Sequence, residues 1–130
     1  MTISGFNSED NKRRKGGFGE EMALDMLLGK GMTLLERNFR CRFGEVDIIL
    51  RDNETLVFVE VKLRKDVSHG LAAQAVNYAK QKKIIRVAQY YLQRSGLKNP
   101  FVRFDVVGVE KSMAGDWTCI HYRHAFLSPH

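Results

Sequence analysis

Residues 44–64, GEVDIILRDNETLVFVEVKLR, contain the two most strand-like segments of the chain, joined by a polar turn. From 45 to 50, apolar Val46, Ile48 and Leu50 recur at every second position, and this period of two predicts a β-strand. The residues Asp52-Asn53-Glu54 predict the turn, because short polar side chains hydrogen-bond to local backbone. From Thr55 to Leu63 a second strand is predicted, with odd-numbered residues on one face and even-numbered residues on the other. The stretch therefore predicts a central hairpin.

Three charged residues lie inside this apolar hairpin. Asp47 is in the first strand, and Glu60 and Lys62 are in the second. Burial of an unpaired charge costs free energy, so such groups are expected to be paired, to bind a metal or to act in catalysis. A Glu-x-Lys pattern is often only an ion pair on an exposed strand face, but the neighbours of Glu60 are too apolar for such a face. We therefore predict a divalent-metal site that cuts nucleic acid.

The ligands that Mg²⁺ prefers give this prediction its chemistry. Mg²⁺ binds a few carboxylates and keeps several waters, and in hydrolysis it generates the nucleophile and stabilises the leaving oxygen. Adjacent strands can present Asp47 and Glu60 at one edge, with the backbone carbonyl of Val61 as a third ligand. Lys62 projects from the same face as Glu60 and can neutralise developing charge. Mg²⁺ or Mn²⁺ is the predicted cofactor, and no small-molecule cofactor is expected.

The composition predicts one globular domain without a membrane segment. The chain has 130 residues, of which 44% are hydrophobic and 28% charged, and these are ordinary values for a single domain. No apolar run is long enough to span a bilayer, and no signal-peptide pattern follows Met1, so we expect a cytoplasmic protein. The net charge of +6 favours a polyanionic partner such as nucleic acid, although many basic proteins bind none.

The segments outside the hairpin predict two helices and three more strands. Residues 1–15 are polar, basic and aperiodic, which predicts a flexible tail, and residues 16–130 are expected to form one domain. The apolar residues Ala23, Leu24, Leu27 and Leu28 recur at helical spacing, and Gly31 is placed to end that helix.

The predicted order is α-β-β-β-α-β-β, an α/β three-layer domain with a mixed sheet of about five strands flanked by helices. Asn77 is a good N-cap for the long second helix. The remaining predicted bounds are a strand over Thr33–Cys41, the second helix from Asn77 to Arg94, and strands over Phe101–Val109 and Trp117–Tyr122.

The sequence resembles the PD-(D/E)XK nuclease superfamily and, over most of its length, the YraN-like family of small bacterial proteins. That family is similar to archaeal Holliday junction resolvases. The motifs that carry the resemblance are Gly16-x-x-Gly19-Glu20-x-x-Ala23, Asn38-Phe39-Arg40, Gly44–Ile49, Phe58–Arg64, Ala75-Val76 with Lys80-Gln81, and Arg103–Val107. The resemblance implies a restriction-endonuclease-like fold and a metal-dependent endonuclease acting on DNA, with branched or structured DNA as a candidate substrate. By analogy with resolvases it also implies a homodimer.

Carried over residue by residue, the resemblance implies that Asp47 and Glu60 are metal ligands and that Lys62 is the catalytic lysine. Glu20 would be a further catalytic acid that reaches the metal through a water molecule. The residues implied near the site or the phosphates are Glu45, Arg64, Lys80 and Gln81. Val46 stands where the name of the superfamily has proline, which leaves the ligands unaffected.

A different class of function is a non-catalytic module on the same fold that binds nucleic acid or a protein partner. Retention of both acids and the lysine favours the nuclease, because a degenerate binder would be expected to have lost at least one of them. His121 and His124 are spaced like metal ligands, but no third ligand is apparent, so we expect them to be structural or on the surface.

Overall fold

The fold is an α/β domain with the predicted order of elements, seen in a computed structural model that describes residues 17–66 and 70–127. The tail predicted for residues 1–15 lies outside the described residues. The elements are helix α1 (17–29), strands β1 (Thr33–Cys41), β2 (Gly44–Asp52) and β3 (Thr55–Arg64), a 3-10 helix (Ala72–Ala75), helix α2 (Tyr78–Ser95), and strands β4 (Phe101–Lys111) and β5 (Trp117–Phe126).

The five strands form one mixed sheet in the order β1-β2-β3-β4-β5. Neighbouring strands are antiparallel except β3 and β4, which are parallel and pair from Thr55 with Phe101 to Arg64 with Glu110. Parallel strands need a long crossover connection, and the segment that contains α2 provides it. The mixed sheet that the sequence predicts is thereby confirmed.

Two apolar clusters on opposite faces of the sheet make the domain three-layered. On the α1 face, Ala23, Leu24 and Leu27 pack with Val57 and Val59 of β3. On the other side, the α2 face, buried residues of α2 pack with even-numbered β3 residues; they are Ile84, Ile85, Val87 and Ala88 against Leu56 and Phe58. The two faces predicted for β3 are therefore confirmed. Among the described residues, no helix has the length and apolarity needed to cross a bilayer.

The ends of both helices follow from local hydrogen bonding. After α1, the N–H of Met32 donates to Leu27 and that of Gly31 to Leu28, while Gly31 has φ of +95°. This Schellman turn needs a left-handed residue, which glycine adopts without strain. It buries Met32 in the α1 cluster, whereas Leu28, predicted to lie in the apolar stripe, is 41% exposed.

Strand β2 departs from the predicted alternation at Asp47. Val46 packs on the α2 face, whereas Ile48 and Leu50 pack on the α1 face. Pairing of β2 with β3 begins only at Ile48 with Val59, and in β1 Asn38, between the partners of Ile48 and Val46, has φ of +50°. The strands therefore separate at Asp47 and Glu60, so both carboxylates leave the regular hydrogen-bond ladder.

Strand β5 continues to Phe126, four residues beyond its predicted end at Tyr122. The register with β4 shifts between Phe104 and Val106, and His124 has φ of +51°. This irregularity, which interrupts the sequence alternation, lets the strand resume and stack Phe126 on Phe104 with ring centroids 5.1 Å apart. The prediction ended too early because the alternation stops before the strand does.

Candidate active site

Four carboxylates from α1, β2 and β3 line a cavity of ≈ 320 Å³ at the point where β2 and β3 separate. We call this the acidic cavity. Its lining residues are Gly17, Phe18, Gly19, Glu20, Glu45, Asp47, Glu60, Val61, Leu63 and Lys80. The structure therefore brings Glu20, Asp47 and Glu60 together with the backbone of Val61, although they come from three separate elements.

Asp47 is fixed by the backbone of the neighbouring strand. The N–H of Val61 donates a hydrogen bond to Asp47 Oδ2 at 2.8 Å. This bond engages one carboxylate oxygen of Asp47 at the point where the regular pairing of β2 with β3 ends. It also brings the peptide unit of Val61 next to the carboxylate, which is the arrangement required if the Val61 carbonyl is a metal ligand.

Glu60, on β3, is buried beside the start of helix α2, and only 6% of the residue is exposed. Its Oε2 lies 3.4 Å from Lys80 Nζ. Lys80 is held there because Asn77 caps the helix, accepting from the Lys80 N–H at 2.9 Å. The predicted N-cap is therefore confirmed, and it positions the cation that faces Glu60.

Glu20 reaches the acidic cavity from the first turns of α1. A side chain at Gly19 would place its Cβ 3.2 Å from Leu63 Cδ1, so glycine allows α1 to approach β3 closely. The next residue, Glu21, accepts a hydrogen bond from Arg37 Nη2 at 2.8 Å. Since Arg37 is only 1% exposed, this pair anchors α1 to β1 beside the cavity.

Burial and mutual repulsion disfavour ionisation of these acids. Desolvation, followed by the charge of Asp47, raises the pKa of Glu20 from 4.5 to about 7. The same two causes raise the pKa of Glu60 from 4.5 to about 7, although Lys80 and Lys62 act in the opposite direction. Burial also raises the pKa of Asp47, despite the hydrogen bond from Val61. A cation bound among them would relieve both penalties.

The donor set suits a small oxygen-preferring cation. Glu20 Oε1 and Glu60 Oε1 are buried and have no hydrogen-bond partner, which leaves them able to accept a ligand or a water. Within residues 17–66 and 70–127, however, no group of three or more His, Cys, Asp or Glu side chains could by itself hold a metal. A metal here would depend on Asp47, Glu60, the Val61 carbonyl and water, a combination typical of Mg²⁺.

Lys62 lies beside this set without lining the cavity. It shares the α2 face with Glu60, and its charge lowers the pKa of Glu60, so it is within electrostatic range of the site. Glu45 lies at the cavity and pairs with Arg40 at 3.1 Å on the exposed surface.

Arg64 and Gln81, the remaining two predicted residues, hydrogen-bond to the backbone around the site. Arg64 Nη1 donates to the carbonyl of Gly70 at 2.6 Å and lies 3.9 Å from Glu110. Gln81 Nε2 donates to the carbonyl of Val76 at 2.9 Å and thereby ties the 3-10 helix to α2. Neither residue lines the acidic cavity.

Arg37 and Asn38 were not predicted as site residues. The side chain of Asn38 and the charge of Arg37 both lower the pKa of Glu20. Leu35 and Phe39 pack on the α2 face, yet Arg37, at the same sequence parity, contacts α1. The alternation of apolar and polar residues therefore does not predict the contact of Arg37 with α1.

A larger concavity of ≈ 810 Å³ lies at the opposite end of the sheet, beside the β2–β3 turn and Phe101. Glu54 is the only carboxylate among the residues that line it. Within the described part of the chain, the carboxylates whose pKa values are raised are Glu20, Asp47 and Glu60, and they line the smaller cavity instead. Chemistry rather than size therefore identifies the acidic cavity as the candidate active site.

A second group of buried charges is structural. Asp105, with 0% exposure, accepts hydrogen bonds from Arg103 Nε at 2.9 Å and from the His124 N–H at 3.1 Å. The ring nitrogen His121 Nε2 lies 2.7 Å from its other oxygen. Arg103 therefore pairs with Asp105, and His121 is a structural histidine.

The fold and the acidic cavity define a small α/β protein with buried carboxylates at the open end of a strand pair. The chain matches the family model described as "Uncharacterised protein family UPF0102" over residues 19–109, a range that contains every predicted site residue. It therefore belongs to the UPF0102 family, and this confirms its resemblance to the YraN-like family.

Proteins similar to this chain come from several bacteria. A UPF0102 protein of Caldicellulosiruptor saccharolyticus is 48% identical over 99 residues, covering 76% of this chain and 84% of the relative. One from Clostridioides difficile is 44% identical over 99 residues, with 76% and 87% covered. One from Persephonella marina is 39% identical over 112 residues, with 86% and 92% covered. The similarity therefore extends over most of the relatives' length.

Proposed function

We propose that this protein is a metal-dependent endonuclease that hydrolyses phosphodiester bonds in DNA. The observation that carries the proposal is the meeting of Asp47 and Glu60 where β2 and β3 separate, with Val61 bonded to Asp47. Two carboxylates and a backbone carbonyl suit Mg²⁺ or Mn²⁺. Displacement of buried acids from their ordinary pKa values is typical of functional sites.

Each residue of the acidic cavity has a role in this scheme. Asp47, Glu60 and the Val61 carbonyl would hold the divalent metal, which when bound supplies a nucleophile near neutral pH and stabilises charge on the phosphate. Lys62 stabilises negative charge that develops on the scissile phosphate. Glu20, whose pKa is raised to about 7, can hold or release a proton on a water at the cavity.

The substrate follows from charge and kinship. A net charge of +6 suits a polyanion, and the resemblance to resolvases favours branched or structured DNA cut in the cytoplasm. Two cuts in a branched substrate need two sites, so the proposal includes a homodimer.

The first test measures Mg²⁺ and Mn²⁺ binding by calorimetry, together with cleavage of a four-way junction and a matched linear duplex. Asp47→Asn and Glu60→Gln should abolish both metal binding and cleavage, because each removes one of two carboxylate ligands. Lys62→Gln should retain metal binding and lower the cleavage rate roughly 10²-fold to 10³-fold, the usual effect of losing one charge-stabilising group.

Glu54→Gln is the matched control. Glu54 is an exposed carboxylate on the β2–β3 turn, away from the acidic cavity, so this variant should bind metal and cut like the native chain. If the native chain bound neither metal in the presence of DNA, and still bound DNA, the nuclease proposal would be wrong. The non-catalytic binding module would then replace it.

A further inference from the structure

Helix α2 carries five cations and no acid. Its sequence, YAKQKKIIRVAQYYLQRS, contains Lys80, Lys82, Lys83, Arg86 and Arg94. Lys80 occupies the first turn, where the helix dipole disfavours positive charge, and its acidic partner, Glu60, lies on β3 rather than on the helix. Ordinary surface helices mix charges of both signs. Arg94 in the last turn is favoured by the helix dipole and Lys80 pairs with Glu60, but the stability of the helix does not explain Lys82, Lys83 and Arg86.

The turn between β1 and β2 adds a further cation and an aromatic ring to this side of the molecule. The guanidinium carbons of Arg42 and Arg86 lie 4.9 Å and 5.3 Å from the centroid of the Phe43 ring. Such cation–π contacts restrict long side chains that would otherwise be mobile in water. Lys82 and Lys83 are on the same helix as Arg86, and Arg42, Lys82, Lys83 and Arg86 are called the basic surface below.

The basic surface adjoins the acidic cavity. Gly44, at the start of β2, packs on α2, since a Cβ added there would lie 3.7 Å from Val87 and 4.0 Å from Lys83 Cβ. Lys80, which contacts Glu60, precedes Arg86 by six residues, or about 9 Å along the helix axis. Cations thus extend from the edge of the cavity along α2, over a distance that covers several phosphates of a nucleic-acid strand.

We propose that the basic surface binds the phosphate backbone of a nucleic-acid duplex and holds it across the acidic cavity. This inference rests on the proposed nuclease function and adds the surface and the form of the substrate. Fixed guanidinium groups bind phosphate in a defined geometry with little entropy to lose. They supply affinity without reading sequence, which suits an enzyme that recognises shape.

The aromatic residues favour a duplex over a single strand. Proteins that bind single strands stack bases on open aromatic faces. Here Phe43 has two guanidinium groups over its ring, and Tyr78 has Lys82 Nζ 5.4 Å from its centroid. These rings therefore orient cations, which suits the phosphates that a duplex displays on its outside.

The test measures binding of the full chain, with EDTA present so that nothing is cut, to a duplex and to a single strand of equal length. Affinity is followed from about 50 to about 200 mM salt. The slope of log K against log salt is negative, and each lost phosphate contact makes it less steep by about 0.9. Arg42→Gln/Arg86→Gln should weaken duplex binding about tenfold and make the negative slope less steep by about 2. A second variant, Lys82→Gln/Lys83→Gln, should have a similar effect.

Lys98→Gln/Lys111→Gln is the charge-matched control. Lys98 lies in the loop before β4, and Lys111 lies over Trp117, which packs on the α1 face. This control should keep native affinity and slope. Equal losses in control and test variants would overturn the inference, because the effect would then be one of net charge. A single strand bound as tightly as the duplex would also overturn it.

The outcome is separable from that of the nuclease test. Metal binding is measured on the same variants and should be native, since none of the four residues of the basic surface lines the acidic cavity. If the native chain neither bound metal nor cut DNA but the basic-surface variants lost duplex affinity, only the nuclease proposal would fail. If the variants bound duplex normally while the native chain cut it, only the present inference would fail.

Discussion

Glu60 occupies a position in which carboxylates are rarely stable, because only 8% of its side chain is exposed and Oε1 has no hydrogen-bond partner. Lys80 offsets part of the cost, yet desolvation and Asp47 still raise the pKa of Glu60 to about 7. A side chain retained at such a cost is better explained by function than by stability.

Replacement of Glu60 by glutamine should therefore stabilise the metal-free protein. Folding raises the pKa of Glu60 from 4.5 to about 7, so protonation of Glu60 favours the folded state. This stabilisation is complete below pH 4.5 and is lost as the pH rises through about 7. Glu60→Gln should raise the free energy of unfolding by about 1 to 3 kcal/mol near pH 8, and by little below pH 5. Urea denaturation in EDTA at both pH values measures the difference. A variant less stable than the native chain near pH 8 would contradict the prediction.

At this scale the sequence predicted some residues that line the acidic cavity and missed some of its contacts, for physical reasons. Asp47 and Glu60 were predictable because they interrupt an apolar pattern. The contact of Lys80 with Glu60 depends on how α2 packs, and the burial of Arg37 depends on irregular backbone at Asn38. Local pattern contains neither piece of information.

The contact between the 3-10 helix and β4 depends on a glycine. A Cβ added at Gly108 would lie 2.7 Å from Ala72 Cβ and 2.7 Å from Glu110 Oε2. The glutamate end can move, but Ala72 is fully buried on a short helix that leads into α2. Gly108 thus sets the distance between the crossover segment and the sheet.

Gly108→Ala should lower the free energy of unfolding by about 1–3 kcal/mol, the usual cost of overpacking a buried contact. Gly29→Ala is the control, because a Cβ there would meet nothing within 4 Å, and its stability should be unchanged or slightly raised. Adding Ala72→Gly to Gly108→Ala should recover part of the loss. Additive effects in this double-mutant cycle, followed by thermal unfolding, would show that the two residues do not touch.

The bounds of the elements were better predicted than the faces on which their residues lie. Strand β1 has its predicted bounds, and α2 runs from Tyr78 to Ser95 after its predicted N-cap. The change of face at Asp47 and the continuation of β5 to Phe126 were not predicted. The first lies opposite the left-handed residue Asn38 of β1, and the second comes after the left-handed residue His124 of β5. Such irregularities are decided by tertiary contacts rather than by local sequence.

The Asp105 network joins distant parts of the whole molecule. Arg103 also donates to Asp52 of the β2–β3 turn at 3.1 Å, and His121 Nδ1 lies 2.9 Å from Lys30 Nζ, just after α1. Burial opposes the ionised form of Asp105, but His121 and Arg103 prevail and hold the pKa of Asp105 below its ordinary value of 3.8. The network therefore stabilises the fold only while Asp105 is ionised.

Asp105→Asn should lower the free energy of unfolding near pH 7 by about 3–5 kcal/mol, since it leaves the buried cation Arg103 without its main partner. Because the folded-state pKa is depressed, the contribution of Asp105 is present above pH 3.8 and is lost as pH falls through the lower folded value. The stability difference between native and variant should therefore shrink in acid. Chemical denaturation across the acidic range measures it, and a constant difference would rule out the ionised pair as its source.

The parallel pairing of β3 and β4 also has a consequence for the order of assembly during folding. Strands β1, β2 and β3 are joined by two-residue turns, whereas Thr55 must find Phe101 across the whole 3-10 and α2 segment. Contacts between residues distant in sequence form late, because closing a long loop costs entropy before it is rewarded. Pulse-labelled hydrogen exchange should therefore protect β2 before β4, and the reverse order would refute this. The cavity acids on β2 and β3, which are Glu45, Asp47 and Glu60, would then be brought together before β3 pairs with its second neighbour, β4.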